Sequence, residues 1–188
     1  MGDKIRFFPW DVTYKVIDGK PVIYLFGKTI DNKQICILYD DFEPYFYVIP
    51  KKDANIADKL NNLDITINDR TYHITKAEPV KKKFLGNDIN ALKVSTDLPE
   101  NIPILREELK KLDSVESVNE SDILFVKRFL IDKKITPLSL YEAEGEFTEQ
   151  KLKVSAFKAK EIKPIESEEV PSFKILSVDI ETYTPQYK

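Results

Sequence analysis

Asp18-Gly19 separates two runs, "DVTYKVI" and "KPVIYLFGKT", both rich in β-branched and aromatic residues that suit a half-buried pleated surface. A two-residue Asp-Gly break between such runs is a strong hairpin signal, because a tight antiparallel turn needs left-handed backbone at its centre. This commits the start of the chain to antiparallel β structure. The pattern repeats: "DNK" at Asp31–Lys33 turns into "QICILYD", and "EPYFYVIP" closes the series.

The next stretch mixes periods. "KDANIADKLNN" and "IPILREELKKL" (Ile102–Leu112) have helical spacing, the second with Leu105, Leu109 and Leu112 on one stripe. "RTYHITKAEPVKKKF" and "INALKVST" read as a strand pair about Gly86-Asn87. "VESV" reads as a short strand, and Asp122 is placed to cap a helix over "ILFVKRFLIDKK". After Pro137 the chain turns acidic and interrupted around one alternating stretch, "KLKVSAFKAKEI", which has the pattern of an exposed edge strand. "FKILSVDIET" follows, a near-continuous apolar run typical of a strand buried on both faces. The fold class expected is α+β: mostly antiparallel sheet with a few helices, then further β strands. A boundary near Ile135–Leu140 divides it into units 1–136 and 137–188.

Composition excludes several classes. The single cysteine, Cys36, rules out a disulfide framework within one chain, and with one histidine, His73, it cannot make a zinc site. No apolar run reaches the ~18 residues of a membrane span and no secretory leader is visible, so a soluble, cytoplasmic protein without a membrane partner is expected. The net charge of −3 differs from that of a strongly basic nucleic-acid binder, but "KKKF" at Lys81–Phe84 and "VKRF" at Val126–Phe129 are local basic-aromatic pairs. Each is equally compatible with a solvated charge run beside a core aromatic. His73, Cys36 and Trp10 read as structural.

The chemistry concentrates in Asp179-Ile180-Glu181. On a strand Asp179 and Glu181 share one face, and two adjacent carboxylates repel unless a cation lies between them. Mg²⁺ or Mn²⁺ favours such oxygen ligands, and two-metal phosphoryl chemistry needs several of them. A bare D-x-E is equally a pair of solvated acids at a strand end.

"FKILSVDIETY" resembles the first exonuclease motif of family B DNA polymerases, in particular the archaeal branch. "DGKPVIYLFG", "FEPYFYV", "KKKFLG" and "VKRFLIDKKITP" resemble, in the same order, segments of the amino-terminal domain of those enzymes. The resemblance implies an amino-terminal domain followed by the incomplete start of an RNase H-like 3′→5′ exonuclease domain. It implies that Asp179 and Glu181 are catalytic ligands of Mg²⁺ or Mn²⁺ in the complete enzyme. The later exonuclease motifs, palm and fingers are not in this sequence, so the chain is expected to be a fragment or one subunit of a split polymerase, inactive alone. Its partners would be single-stranded template, primer-template DNA, and the remaining polymerase domains in cis or as a second subunit.

The resemblance also implies a pocket that captures uracil in the template strand. The matching positions are Tyr14, Pro44, Phe125 and Arg128, with Tyr45 beside them. Aromatic and proline walls would enclose a flipped-out base, and Arg128 would contact a phosphate or brace the pocket. Where the family carries proline and then valine after "KKFLG", this chain has Asp88 and Ala91. Loss of two methyl groups loosens a pocket that must tell uracil from thymine by one methyl, so uracil selectivity is expected to be weak or absent. The alternatives are a self-sufficient single-strand-binding module and a non-catalytic replication remnant.

Overall fold

The computed structural model describes residues 2–52, 54–84 and 86–183. Asp53 of the first expected helix, Leu85 of an expected turn, and residues 184–188 lie outside the described residues.

The Asp18-Gly19 hairpin forms as expected. Both residues take positive φ, 49° and 76°, and join β1 (Asp3–Ile17) to β2 (Lys20–Thr29). β3 (Gln34–Tyr39) pairs with β2, following a turn in which Asn32 is left-handed. The strand expected to be an exposed edge is not one. It is β10 (Ser155–Pro164), which runs parallel to β3 and antiparallel to β9 (Tyr141–Thr148). β9 in turn pairs with β1, so the five strands close into a barrel in the order β1-β2-β3-β10-β9. Closure removes the free edges. The alternating pattern misleads because a barrel stave also has one inward and one outward face.

Strands from both sides of residue 136 build the barrel. The acidic residues between 141 and 149 are outward positions of a stave, and Lys4 and Arg6 of β1 bond Glu142 across the ladder.

The barrel interior is filled by Phe7, Ile23, Leu25, Ile37 and Phe157, with Phe125 and Phe129 of α3 (Phe125–Asp132) packed against them. α3 starts at Phe125 without a side-chain cap, so Asp122 does not cap it; its first turn is set by Arg128 N–H donating to the Leu124 carbonyl. Cys36 lies among Tyr24, Leu38 and Ala156, and burial pushes its thiol up to about 12.

The second layer is a five-stranded sheet, β5-β6-β7-β4-β8, made of β4 (Tyr45–Pro50), β5 (Asp64–Ile67), β6 (Arg70–Phe84), β7 (Asn87–Thr96) and β8 (Val115–Asn119). β5 is additional to the strands expected from sequence. It is short, and its turn into β6 uses left-handed Asn68 and Asp69 rather than glycine. The first expected helix shrinks to one turn, α1 (Ala57–Leu60), and α2 (Ile102–Lys110) forms with Leu105 and Leu109 buried, while Leu112, expected on the same stripe, lies beyond its end and is exposed. Phe46, Val48 and Val94 pack with Leu60, Leu105 and Leu109 to make a separate core. Because side chains alternate along a strand, turning Phe46 and Val48 to that core makes Tyr45 and Tyr47 face the other way.

"FKILSVDIET" is not a strand. A strand forms by pairing its backbone with a neighbour, and no described strand runs beside this segment. Its apolar side chains consequently stand in solvent: Ile175 is 89% exposed and Ile180 81%. No helix among the described residues is long and apolar enough to cross a membrane.

Gly145 marks a point where two barrel strands approach closely. A Cβ there would lie far inside contact distance of the Lys158 carbonyl oxygen on β10, beside a bulge in that strand. Gly145→Ala should therefore force β9 and β10 apart and cost about 2–3 kcal/mol. Gly19→Ala meets nothing, and should cost about 1 kcal/mol for its left-handed backbone alone. Urea denaturation of both variants checks the order; equal losses would show that β9 and β10 are not held this closely.

Candidate functional site

Tyr14 lies on β1, Pro44 precedes β4, Tyr45 begins it, and Phe125 and Arg128 occupy the first turn of α3. The structure gathers these five at the junction of barrel and sheet, but in two groups. Tyr14 and Phe125 meet edge to face with ring centroids 5.2 Å apart. They line a cleft of about 320 Å³ together with Val12, Ile102, Pro103 and Leu124, while Pro44, Tyr45 and Arg128 are not among its walls. Phe42, absent from the sequence-based set, joins the groups: it lies 5.4 Å from Phe125, 5.3 Å from Phe129 and 6.5 Å from Tyr45. Pro44 is buried, and its carbonyl accepts from Thr96 N–H at 3.0 Å, tying β4 to the end of β7.

The second group is a cation–aromatic ladder. The Arg128 guanidinium lies 4.6 Å from the centre of the Tyr45 ring and 5.9 Å from that of Tyr47. Lys93 sits 4.1 Å over Tyr45, and Lys82 4.2 Å over Tyr47. β-sheet register accounts for the assembly. Lys93 on β7 is directly opposite Tyr47 on β4, and directly opposite Glu78 on β6. Tyr47, Lys82, Lys93 and Glu120 are absent from the sequence-based set, although the alternation in "YFYV" places two tyrosines on one face.

Arg128 is not free to meet a phosphate. It is only 4% exposed; Nη1 donates to Glu120 Oε2 at 2.5 Å and Nη2 to the Glu120 carbonyl at 2.8 Å. Glu120 reaches it from a left-handed backbone, φ 57°, just after β8. Burial opposes the charge on Arg128, and the bonds to Glu120 outweigh it, so its pKa is raised. Of the two expected roles, bracing is the one this geometry serves. Tyr45 is fixed similarly: its hydroxyl donates to Asp132 Oδ2 at 2.6 Å, and burial followed by that bond raises its pKa. Lys82 and Lys93 are half-buried and present charge at the surface, Lys82 while paired with Glu120 Oε1 at 3.6 Å.

Asp88 and Ala91 lie elsewhere. Asp88 is exposed opposite Lys83 near the end of the β6–β7 hairpin. Ala91 is buried at the wall of another cleft, of about 810 Å³, beside Ile49, Val80 and Ile89.

Asp179 and Glu181 are exposed on the extended segment, where Asp179 Oδ1 accepts from Ile180 N–H at 2.8 Å. Among the described residues no three of His, Cys, Asp or Glu converge as a metal site. Two carboxylates from one extended segment do not by themselves fit a two-metal centre, which needs further oxygen donors.

The Arg128–Glu120 pair should be asymmetric. Glu120→Ala leaves a buried cation without its partner and should cost about 1–3 kcal/mol, less than for a fully buried pair because Glu120 is partly in water. Arg128→Met leaves Glu120 to solvent and should cost less. Denaturant titration of the two variants decides this, and the reverse order would refute the bracing role.

The chain resembles known proteins in sequence and in fold. The family described as DNA polymerase family B, exonuclease domain, matches residues 116–188. DNA polymerase 2 of Aeropyrum pernix is 30% identical over 182 residues, covering 93% of this chain and 22% of that protein. The DNA polymerase of Thermococcus gorgonarius is 38% identical over 148 residues, covering 78% and 18%. In structure, the family B DNA polymerase of the hyperthermophilic archaeon Pyrobaculum calidifontis matches with a TM-score of 0.77 at 26% identity, over 89% of this chain and 21% of that one. The chain thus spans about a fifth of the length of these relatives. With sequence matches across most of its length and a barrel-plus-sheet fold shared with a solved member, this chain belongs to the family B DNA polymerases, in their archaeal branch, and corresponds to their amino-terminal and exonuclease region.

Proposed function

We propose that this chain is the amino-terminal portion, or one subunit, of a DNA-directed DNA polymerase with 3′→5′ exonuclease activity, and that its own share of the work is to hold single-stranded template. The observation that carries this reading is the ladder of Tyr45 and Tyr47 with Lys82 and Lys93. Half-buried Tyr47 offers a ring edge or face to a base, and the two lysines offer charge to backbone phosphates. The Arg128–Glu120 and Tyr45–Asp132 bonds hold that platform in place before any strand arrives. Rings stack with any base, so such a surface grips without reading sequence.

Uracil selectivity is weak or absent in this reading. The Tyr14–Phe125 cleft is walled mainly by aliphatic side chains and prolines, and its polar lining residues Thr13, Glu100, Ser121 and Asp122 are not buried. Discrimination then rests on one methyl, worth about 1–3 kcal/mol even in a close-fitting pocket. Asp179 and Glu181 are two of the carboxylates of a divalent-metal exonuclease centre whose other donors come from the rest of the polymerase. The 188-residue chain alone neither extends nor degrades DNA.

Fluorescence anisotropy with labelled single strands carrying one uracil or one thymine tests the reading. Equal binding of the two strands, weakening with salt, is expected. Replacing Lys82 and Lys93 together by Gln should lower the slope of log K against log salt by about 1.4, the share of two phosphate contacts. Salt-independent binding, or a tenfold preference for uracil, would reject it. For the second claim, magnesium-dependent nuclease activity in the purified chain that disappears in Asp179→Ala would contradict the predicted inactivity.

A further inference from the structure

Between the end of β10 and the carboxylates, the chain touches the barrel at few points. Ile165 N–H donates to the Leu140 carbonyl at 2.9 Å as the segment leaves the barrel. The contacts then resume at Pro171–Phe173. Pro171 is buried, and the Phe173 ring meets Trp10 of β1 edge to face with centroids 5.7 Å apart. Lys28 of β2 closes the same point from the other side: its Nζ donates to the Ser172 carbonyl at 2.7 Å and lies 5.7 Å from the centre of the Phe173 ring. Beyond Phe173 exposure is nearly complete, with Leu176 at 86% and Val178 at 75%.

These observations have a geometric consequence. Asp179 lies six residues after Phe173, and a fully extended chain spans at most about 3.3–3.6 Å per residue. Asp179 therefore lies within about 20 Å of the Trp10 contact for as long as that contact holds. Without that contact, the Lys28–Ser172 bond and the burial of Pro171 together, the last fixed point is Ile165, fourteen residues upstream, and the permitted reach more than doubles to about 50 Å. The volume open to the carboxylates grows as the cube of that reach. A tether of this kind raises the local concentration of a motif near its working place without touching the chemistry.

We infer that Trp10, Lys28 and Phe173 form a clasp that positions the Asp179–Glu181 segment against the barrel. They are positioning residues, acting through the backbone of Pro171–Phe173. The inference rests on the proposed role of the carboxylates for its purpose, but the clasp itself is tested independently of that role. Edge-to-face aromatic contact supplies direction, and the lysine adds a charge-assisted hydrogen bond to a backbone carbonyl that survives changes of side chain at position 172.

Trp10 is the sole tryptophan of the chain, so it reports on the clasp directly. The experiment uses the whole chain with Thr182→Cys, which leaves both carboxylates intact, carrying a thiol-linked acceptor; Cys36 is buried and stays unlabelled. Energy transfer from Trp10 to the acceptor reads the reach of the segment, and acrylamide quenching reads the cover over the indole. In Phe173→Ala, quenching should rise about twofold as the indole loses the ring at its edge, and transfer should fall and broaden. Phe173→Tyr should restore both, and Lys28→Met should give an intermediate loss. Circular dichroism verifies that the barrel is intact, as expected for a residue that is already 39% exposed. Unchanged quenching in Phe173→Ala would show that there is no clasp. Changed quenching with unchanged transfer would show a contact that positions nothing, and either result overturns the inference. Failure of the DNA-holding or metal reading would alter neither signal.

Discussion

Parallel pairing of β10 with β3 is the contact on which the rest of the molecule depends. Ser155 to Lys158 lie alongside Ile35 to Leu38, and this single short ladder turns an open sheet into a barrel. It joins parts of the chain about 120 residues apart, so its loop-closure cost is paid only because it seals Phe157 and Ile37 into a dry interior. Once the barrel exists, α3 has a surface on which to bury Phe125 and Phe129. Only then is Arg128 delivered beneath Tyr45.

That dependence explains why the site lies between the layers. The barrel supplies Tyr14 and, through α3, Arg128; the β3–β4 connection supplies Phe42; the sheet supplies Tyr45, Tyr47, Lys82 and Lys93. Neither core alone could hold the group. The buried guanidinium is kept charged by Glu120, whose own position comes from the left-handed turn after β8. A buried ion pair contributes little net stability, but breaking one side is costly, which makes it a device for fixing geometry. Here it fixes the rings, and Glu120 also draws Lys82 toward them, with Nζ 3.6 Å from Oε1.

The sequence discloses what local rules govern. The Asp18-Gly19 hairpin, the β6–β7 pair and the Leu105 and Leu109 stripe of α2 each come from turn chemistry or period, and appear where expected. What it conceals is pairing between distant segments. "KLKVSAFKAKEI" has the same alternation whether it is an edge or a stave, because period 2 records one covered face and not which strands lie alongside. "FKILSVDIET" misleads in the opposite direction: apolarity states that a segment can be buried, but the partner must exist for burial to occur. In the site, family resemblance brings Tyr14, Tyr45, Phe125 and Arg128 into view. Phe42 and Glu120 escape because their importance comes from contacts across the chain, and Lys93 because a lysine in a strand is ordinarily just solvated; Lys82 is in view only as one of the "KKKF" run.

The extended segment finally shows how free energy is divided between folding and assembly. Ile175, Leu176, Val178 and Ile180 contribute nothing to this fold, since all four stand in water. Burying such side chains is worth about 1.5–3 kcal/mol each, so the four hold in reserve an amount comparable to the stability of a small domain. That reserve is released only against a matching sheet, and an apolar strand without one pairs with whatever edge it meets. The clasp at Trp10 lies just before this apolar run, at the last point where the chain still has a binding surface of its own. Anchoring there limits where the run can search. It thereby favours pairing beside the barrel over pairing with distant chains.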